Sequence, residues 1–317
     1  MSFRTYEASR RILEELSKVL LGQEEFSALL VTCMFSGGHV LIEGVPGVGK
    51  TLSARALAKT VDAAFGRVQF TPDIMPADII GTNIFDMKAG AFTLRKGPIF
   101  TNFLLADEIN RTPPKTQSAL LEAMEERRVT IDGTDYDLDY PFMVFATQNP
   151  LEFEGTYPLP EAQLDRFMMK LIVGYPSPDT EIRLLQNVHG GFNSRDFGNI
   201  TVEAVLTPDE FKLCQEEIAG VRVDESIFSY ILAIVDATRK SPLLALGASP
   251  RASVALLSCS KTLALTDGRD YVIPEDVQFL APHVLRHRVI LTPEAEIDGI
   301  TPDAAISQSL AGIKVPR

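Results

Sequence analysis

Two kinds of apolar pattern alternate through the first half of the chain. His39–Glu43 (HVLIE), Phe103–Ala106 (FLLA), Phe142–Thr147 (FMVFAT) and Met168–Val173 are short apolar runs that read as buried strands, with Arg67–Phe70 (RVQF) a further candidate. Between them, Leu52–Thr60 puts Leu52, Ala56 and Leu57 at helical spacing. Gln117–Arg127 puts Leu120, Leu121 and Met124 on one side of a second helix. Strands that alternate with helices predict an α/β core with a parallel sheet covered on both faces. The pattern changes after Val173. Gly174–Pro178 holds two prolines, and His189–Asn199 (HGGFNSRDFGN) is polar and glycine-rich, the signature of a linker. From Thr207 onward the spacing is helical. Thr207–Glu210 (TPDE) reads as a capping box with Pro at the first helical position. Asp224 starts a helix marked by Ile227, Ile231, Ile234 and Val235, and further helices are predicted over Ser249–Leu265 and Pro274–Arg288. The expected division is an αβα core over 1–185, a linker over 186–206 and a small all-helical domain over 207–317. No internal repeat or low-complexity tract interrupts it.

Length and charge narrow the classes. A chain of 317 residues suggests about two domains. Thirty Lys and Arg against 42 Asp and Glu leave a net charge of −12, which repels nucleic-acid backbones and anionic membranes. Stable nucleic-acid binding and membrane insertion are therefore not expected, unless a local basic patch overrides the balance. The longest apolar runs fall far short of the ~18 residues of a membrane span. The first twenty residues lack the apolar stretch of a secretory signal. Cys33, Cys214 and Cys259 form no CxxC pair and read as small buried hydrophobes in a reducing compartment. A cytoplasmic location follows by elimination.

The chemistry gathers at strand ends. Gly44, Val45, Pro46, Gly47, Val48, Gly49, Lys50 and Thr51 match G-x-x-x-x-G-K-[ST] in full, with an apolar strand before and a helix after. Such a loop curls so that successive N–H groups face phosphate oxygens. Lys50 would neutralise the terminal phosphates, and Thr51 would place a hydroxyl on Mg²⁺. Asp107 ends another apolar strand (LLADE) and would hold the Mg²⁺ water shell, while Glu108 can orient and deprotonate water. Asn149 follows a third strand (FATQNP), within reach of the attacking water or the terminal phosphate. Arg166 and Arg251 fit either surface ion pairs or groups aimed at a transferring phosphoryl, and spacing does not choose between these. His283 and His287 have zinc-like spacing, but no third ligand accompanies them and Arg286 and Arg288 repel a cation. Phe142 and Phe145 read as core.

Taken in order, GVPGVGKT, LLADEINRTPPKTQSALLEAMEER, FATQNP, YPLPEAQLDRF and SPR resemble the AAA+ ATPases of the MoxR type, from about Leu20 to the C-terminus. The resemblance implies a P-loop NTPase core followed by a helical lid, with ATP and Mg²⁺ as ligands. It implies that Gly44–Thr51 is Walker A, Asp107 and Glu108 Walker B, and Asn149 sensor 1. Arg166 becomes the arginine finger that reaches a neighbour's nucleotide. Arg251 becomes sensor 2, in cis or in trans. For Arg111 two readings stand, the subunit interface or a local pair with Glu108 or Glu122. Val19–Glu25 (VLLGQEE) resembles the segment packed near the adenine. Asn83–Pro98 resembles the helix-2 insert, and Val129–Tyr140 resembles the hairpin before sensor 1, turning at Asp132-Gly133. The family further implies a homo-oligomeric ring, hexameric by analogy, that remodels or matures partner proteins, including those with von Willebrand factor A domains. The rival classes are an ATP-driven nucleic-acid motor of a related AAA+ branch and a slow ATP-gated scaffold. A P-loop GTPase would carry an Asn-Lys-x-Asp base reader, which the sequence lacks.

Overall fold

Alternation of the two apolar periods produces a layered first half. The computed structural model describes residues 3–88, 90–150, 155–190 and 202–316. In chain order its first elements are α1 (Arg4–Ser17), α2 (Glu24–Phe35), β1 (Val40–Gly44), α3 (Lys50–Thr60), β2 (Phe65–Gln69), α4 (Pro76–Ile80), β3 (Gly81–Asp86) and β4 (Ala91–Lys96). There follow β5 (Phe103–Asp107), α5 (Pro114–Glu126), β6 (Arg128–Ile131), β7 (Thr134–Asp137), β8 (Met143–Gln148), α6 (Glu161–Leu164), β9 (Met169–Val173) and α7 (Pro178–His189). The predicted runs are the five strands of one sheet, in the order β2-β5-β8-β1-β9. Every pairing in it is parallel.

Successive strand residues face opposite sides. Val40, Ile42, Phe103, Leu105, Phe145 and Leu171 join an apolar cluster on one face, and Leu41, Leu104, Ala106, Val144 and Ala146 join another on the opposite face. Phe142 and Phe145 are core, as expected. His39 precedes β1 and ties the sheet to a helix. Its Nδ1 accepts the Val144 N–H at 3.0 Å and its Nε2 lies 3.0 Å from the Met124 carbonyl. Burial pushes its pKa down to about 4, so the ring is neutral.

Two hairpins leave this core. β3 pairs with β4, and β6 with β7, both antiparallel. The second turns at Asp132 (φ 50°) and Gly133 (φ 79°), the two positive φ angles that a two-residue turn between twisted strands requires.

The second half is helical: α8 (Pro208–Ala219), α9 (Glu225–Lys240), α10 (Pro250–Thr266), α11 (Pro274–Leu285), α12 (Pro293–Ile297) and α13 (Pro302–Ala311). The Thr207–Glu210 capping box forms, and the Asp224 carboxylate accepts the Ser226 N–H. One feature departs from an all-helical reading. Leu244–Leu246 (β10) and Ile290–Leu291 (β11) pair as an antiparallel ribbon too short to leave an alternating signature in sequence. The helix beginning at Pro274 also stops at Leu285, three residues short of its predicted end. The linker predicted from His189–Asn199 lies chiefly outside the described residues. No described helix is long and apolar enough to cross a membrane.

α1 binds the two halves together. It packs on α2 and α3 and also on α8 and α10. Its Thr5 hydroxyl donates to Glu217 at 2.6 Å. One apolar cluster consequently runs from α1 and α2 through one sheet face to the helices of the second half. The buried thiols sit there as small hydrophobes, and burial pushes Cys259 up to about 12 and Cys214 up to about 11.

Candidate nucleotide site

The sheet order sets the site. β5, β8 and β1 are neighbours, so their carboxyl ends bring Asp107, Asn149 and the glycine loop to one crevice. The loop turns through Gly47 (φ 88°) and Gly49 (φ 89°), left-handed conformations that glycine adopts without strain. A Cβ at Gly47 would meet nothing within 4 Å, so the loop's concave side is open. α3 starts at Lys50, which puts the positive end of an eleven-residue helix at the loop. The Lys50 ammonium donates to the carbonyl of Gly44 at 2.5 Å and to that of Gln148 at 3.3 Å, at the centre of the cradle.

Next to it stand the two acids. Asp107 Oδ1 accepts the Thr147 hydroxyl at 2.6 Å, and Oδ2 accepts Arg67 Nη2 at 2.7 Å. Glu108 has φ 59° and ψ 50°. A left-handed non-glycine residue costs on the order of 1 kcal/mol and persists only where neighbours hold it. The Glu108 N–H donates to Thr147 Oγ1 at 2.9 Å, which fixes that backbone. Its carboxylate accepts Gln69 Nε2 at 2.7 Å and pairs with Arg111 Nε at 3.1 Å. Arg111 thus makes the local pair with Glu108 that one of its two readings expects. Asn149 is buried between the acids and the loop.

A cavity of about 540 Å³ opens along the loop. Lys50, Thr51, Asp107, Glu108 and Asn149 are among its polar lining, and Leu20, Leu21, Leu184 and Val188 among its apolar lining. Gln23 Nε2 donates to the Val48 carbonyl at 3.1 Å, tying the segment before α2 to the loop. The cavity suits a ligand with a flat apolar base and an anionic tail. The Thr51 hydroxyl and the Asp107 carboxylate are hard oxygen donors of the kind Mg²⁺ takes, beside N–H groups that suit phosphate. A larger cavity of about 810 Å³ lies on the other side of Asn149. Its cations are already neutralised, Lys170 by Glu43 at 2.7 Å and Arg286 by Asp303 at 2.9 Å, and the glycine loop does not reach it.

Arg166 and Arg251 line neither the loop nor the 540 Å³ cavity. Both reach the same carboxylate instead. Arg166 Nη2 lies 2.9 Å from Glu125 Oε2, and Arg251 Nη2 binds Glu125 Oε1. The zinc alternative for His283 and His287 fails. His287 Nε2 is 2.9 Å from the Phe167 carbonyl, and no cluster of three metal-ligating side chains occurs among the described residues. Burial and the Arg286 guanidinium push His283 down to about 4.

Four polar contributors escaped the sequence reading: Arg67, Gln69, Thr147 and Glu125. Thr147 was visible as a hydroxyl ending an apolar run two residues before Asn149. Arg67 and Gln69 matter only because β2 lies beside β5 with Gln69 opposite Asp107, a long-range register that motif spacing does not carry.

Comparison with known proteins agrees with this geometry. Residues 39–169 match the ATPase family associated with various cellular activities (AAA), and residues 236–309 match the AAA lid domain. The chain is 49% identical over 306 residues to YeaC of Bacillus subtilis, covering 96% of this chain and 94% of that protein. It is 44% identical to the chaperone MoxR1 of Mycobacterium tuberculosis (97% and 82% covered) and 32% identical to the protein MoxR of Methylorubrum extorquens (92% and 90%). A crystal structure from Cytophaga hutchinsonii, described as a candidate ATPase, superposes with a TM-score of 0.90 at 42% identity, covering 99% of this chain and 97% of that one. A five-stranded parallel AAA core, its lid and full-length relatives thus converge: the chain belongs to the MoxR family of AAA ATPases.

Proposed function

We propose that the chain hydrolyses ATP with Mg²⁺ at the junctions of a homo-oligomeric ring and uses that cycle to remodel or mature partner proteins. One observation carries the reading. The crevice gathers a phosphate cradle, two acids and Asn149, while Arg166 and Arg251 stand outside it, side by side on Glu125. A cavity lined by Lys50 but by no arginine is what a head-to-tail assembly completes, each subunit lending arginines to the next. The loop amides and Lys50 bind the triphosphate. Thr51 and Asp107 would hold Mg²⁺, which supplies charge neutralisation at the phosphates. Glu108 takes the proton of the attacking water, and Asn149 positions that water. Arg166 and Arg251 of the next subunit stabilise the charge on the transferring group.

Concentration tests this directly. Specific ATPase activity, measured with assembly state across a dilution series, is expected to rise as subunits associate. Full-speed hydrolysis by a proven monomer overturns the reading.

Two features support a partner-directed role. The β3–β4 hairpin exposes Phe85, Met87 and Phe92, and Asn83 Nδ2 donates to Asp132 at 2.8 Å, joining it to the β6–β7 hairpin. Together they offer an exposed apolar surface suited to a protein partner, on a chain whose net charge of −12 disfavours DNA. Hydrolysis stimulated by DNA would favour the motor reading instead.

Arg67 tunes the metal. It holds the Asp107 oxygen that Mg²⁺ would draw on. The arginine of this pair is half exposed and such pairs are worth ~1 kcal/mol at most, so its removal is expected to have a limited effect. Arg67→Gln is expected to lower by about two- to fivefold the Mg²⁺ concentration that half-saturates binding of a fluorescent ATP analogue. An unchanged midpoint means that the arginine and the metal do not compete.

A further inference from the structure

The loop that carries Arg166 continues from α6, to which the N–H groups of Asp165, Arg166 and Phe167 donate, and its side chains fasten it to the lid as well. Asp165, the residue before Arg166, spends both carboxylate oxygens on lid groups: Oδ1 accepts Arg288 Nε at 2.7 Å, and Oδ2 accepts the Ser249 hydroxyl at 2.8 Å. Arg288 is nearly inaccessible, with a side chain 3% exposed. Its Nη2 reaches the carbonyls of Asp165 at 3.1 Å and Phe167 at 2.7 Å in the same loop, and its Nη1 bridges the Met168 carbonyl at 3.1 Å and the Val284 carbonyl of the lid. His287 adds a contact to the Phe167 carbonyl. Ser249 is no bystander. It is the N-cap of α10, and its oxygen accepts the N–H of Arg251 at 3.1 Å. A single carboxylate therefore connects the backbone of Arg166 to the first turn of the helix that bears Arg251. The two guanidinium groups end within reach of one carboxylate, that of Glu125.

We propose that Asp165 is a positioning residue that locks the Arg166 loop to the Arg251 helix, so that both arginines approach a neighbour's phosphates as one unit. The proposal rests on the reading in which those arginines act across the subunit junction. In physical terms, two independently mobile guanidinium groups would each lose conformational freedom when a phosphate arrives. Two groups already fixed to one buried ion pair lose less, and stay aligned with the charge that develops. An arginine placed this way contributes to the transition state far more than to ground-state binding, so loosening it lowers kcat and leaves KM largely alone.

Asp165→Asn keeps the shape but cannot satisfy Arg288 and Ser249 as a carboxylate does. Ser249→Gly cuts only the link to α10, since glycine is well tolerated at an N-cap. Both variants are expected to assemble, to bind a fluorescent ATP analogue like the unaltered chain, and to lose tenfold or more in kcat at unchanged KM. Each is then mixed with Glu108→Gln subunits, whose arginines and Asp165 are intact. Hydrolysis should partly recover, because the variant's own sound crevice is completed by the neighbour's arginines. A merely structural defect would not recover in this way. Should Asp165→Asn fail to fold, Ser249→Gly decides alone. Unaltered kcat in folded variants overturns the proposal. So does lost kcat without recovery, in mixed assemblies where Arg166→Ala and Glu108→Gln subunits do rescue each other. If that last control pair itself fails to recover, the cross-junction reading falls and the coupling falls with it.

Discussion

Subunits carrying Glu108→Gln are expected to hold ATP as tightly as the unaltered chain and to turn it over ~10²–10⁴-fold more slowly, the range a positioned general base supplies. The substitution changes almost nothing else. Glutamine has the same length, and its carbonyl oxygen can still accept Gln69 Nε2, now 2.7 Å from the carboxylate. The left-handed backbone is set by Thr147 and not by the side chain. What disappears is the capacity to take a proton, together with the charge that pairs with Arg111 at 3.1 Å. Phosphate release measured beside equilibrium binding of a fluorescent analogue separates the two effects. Turnover at the unaltered rate would show that another group serves as base. The same stalled form, loaded with ATP, is the appropriate bait for a client protein.

Lys50→Ala is expected to act one step earlier, on binding. The ammonium sits between two backbone carbonyls at the mouth of the glycine loop, and nothing among the cavity's other lining residues carries a positive charge. Charge-assisted hydrogen bonds contribute about 1.5–3 kcal/mol each, so losing two to phosphate should weaken affinity ~10²–10⁴-fold. Folding should survive, because Lys50 opens α3 at the surface of a helix whose inward face is formed by Ala54, Leu57 and Ala58. Calorimetric titration with ATP checks the prediction. Near-native affinity would move the phosphate site away from the loop.

Where residues act on their own neighbours in sequence, their purpose was legible. The glycine loop, the acids at the end of β5, the Thr207 cap and the Asp132-Gly133 turn are local devices, each with a fixed spacing that physical chemistry dictates. Resemblance added roles for Arg166 and Arg251, which the structure places on Glu125 outside the crevice. Three things stayed hidden because they depend on which distant segments meet. Gln69 faces Asp107 only through the pairing of β2 with β5. Glu125 looks like any acid on an amphipathic helix, yet it gathers two arginines 41 and 126 residues away. Arg288 enters the sequence analysis only as a positive charge beside His287, yet it is among the most enclosed charges of the described residues. Burial lowers its pKa, and the hydrogen bond and charge of Asp165 oppose that shift.

The apolar cluster that joins α1, the sheet face and the lid helices has a mechanical corollary. A hinge needs a wetted seam or a thin neck, and side chains packed to crystal-like density offer neither. Prising the halves apart would hydrate Leu16, Phe35, Leu256 and Leu280 together. In the proposed ring, a stroke driven by hydrolysis would then be taken up as rocking of stiff blocks against one another, with the give concentrated at the subunit joints.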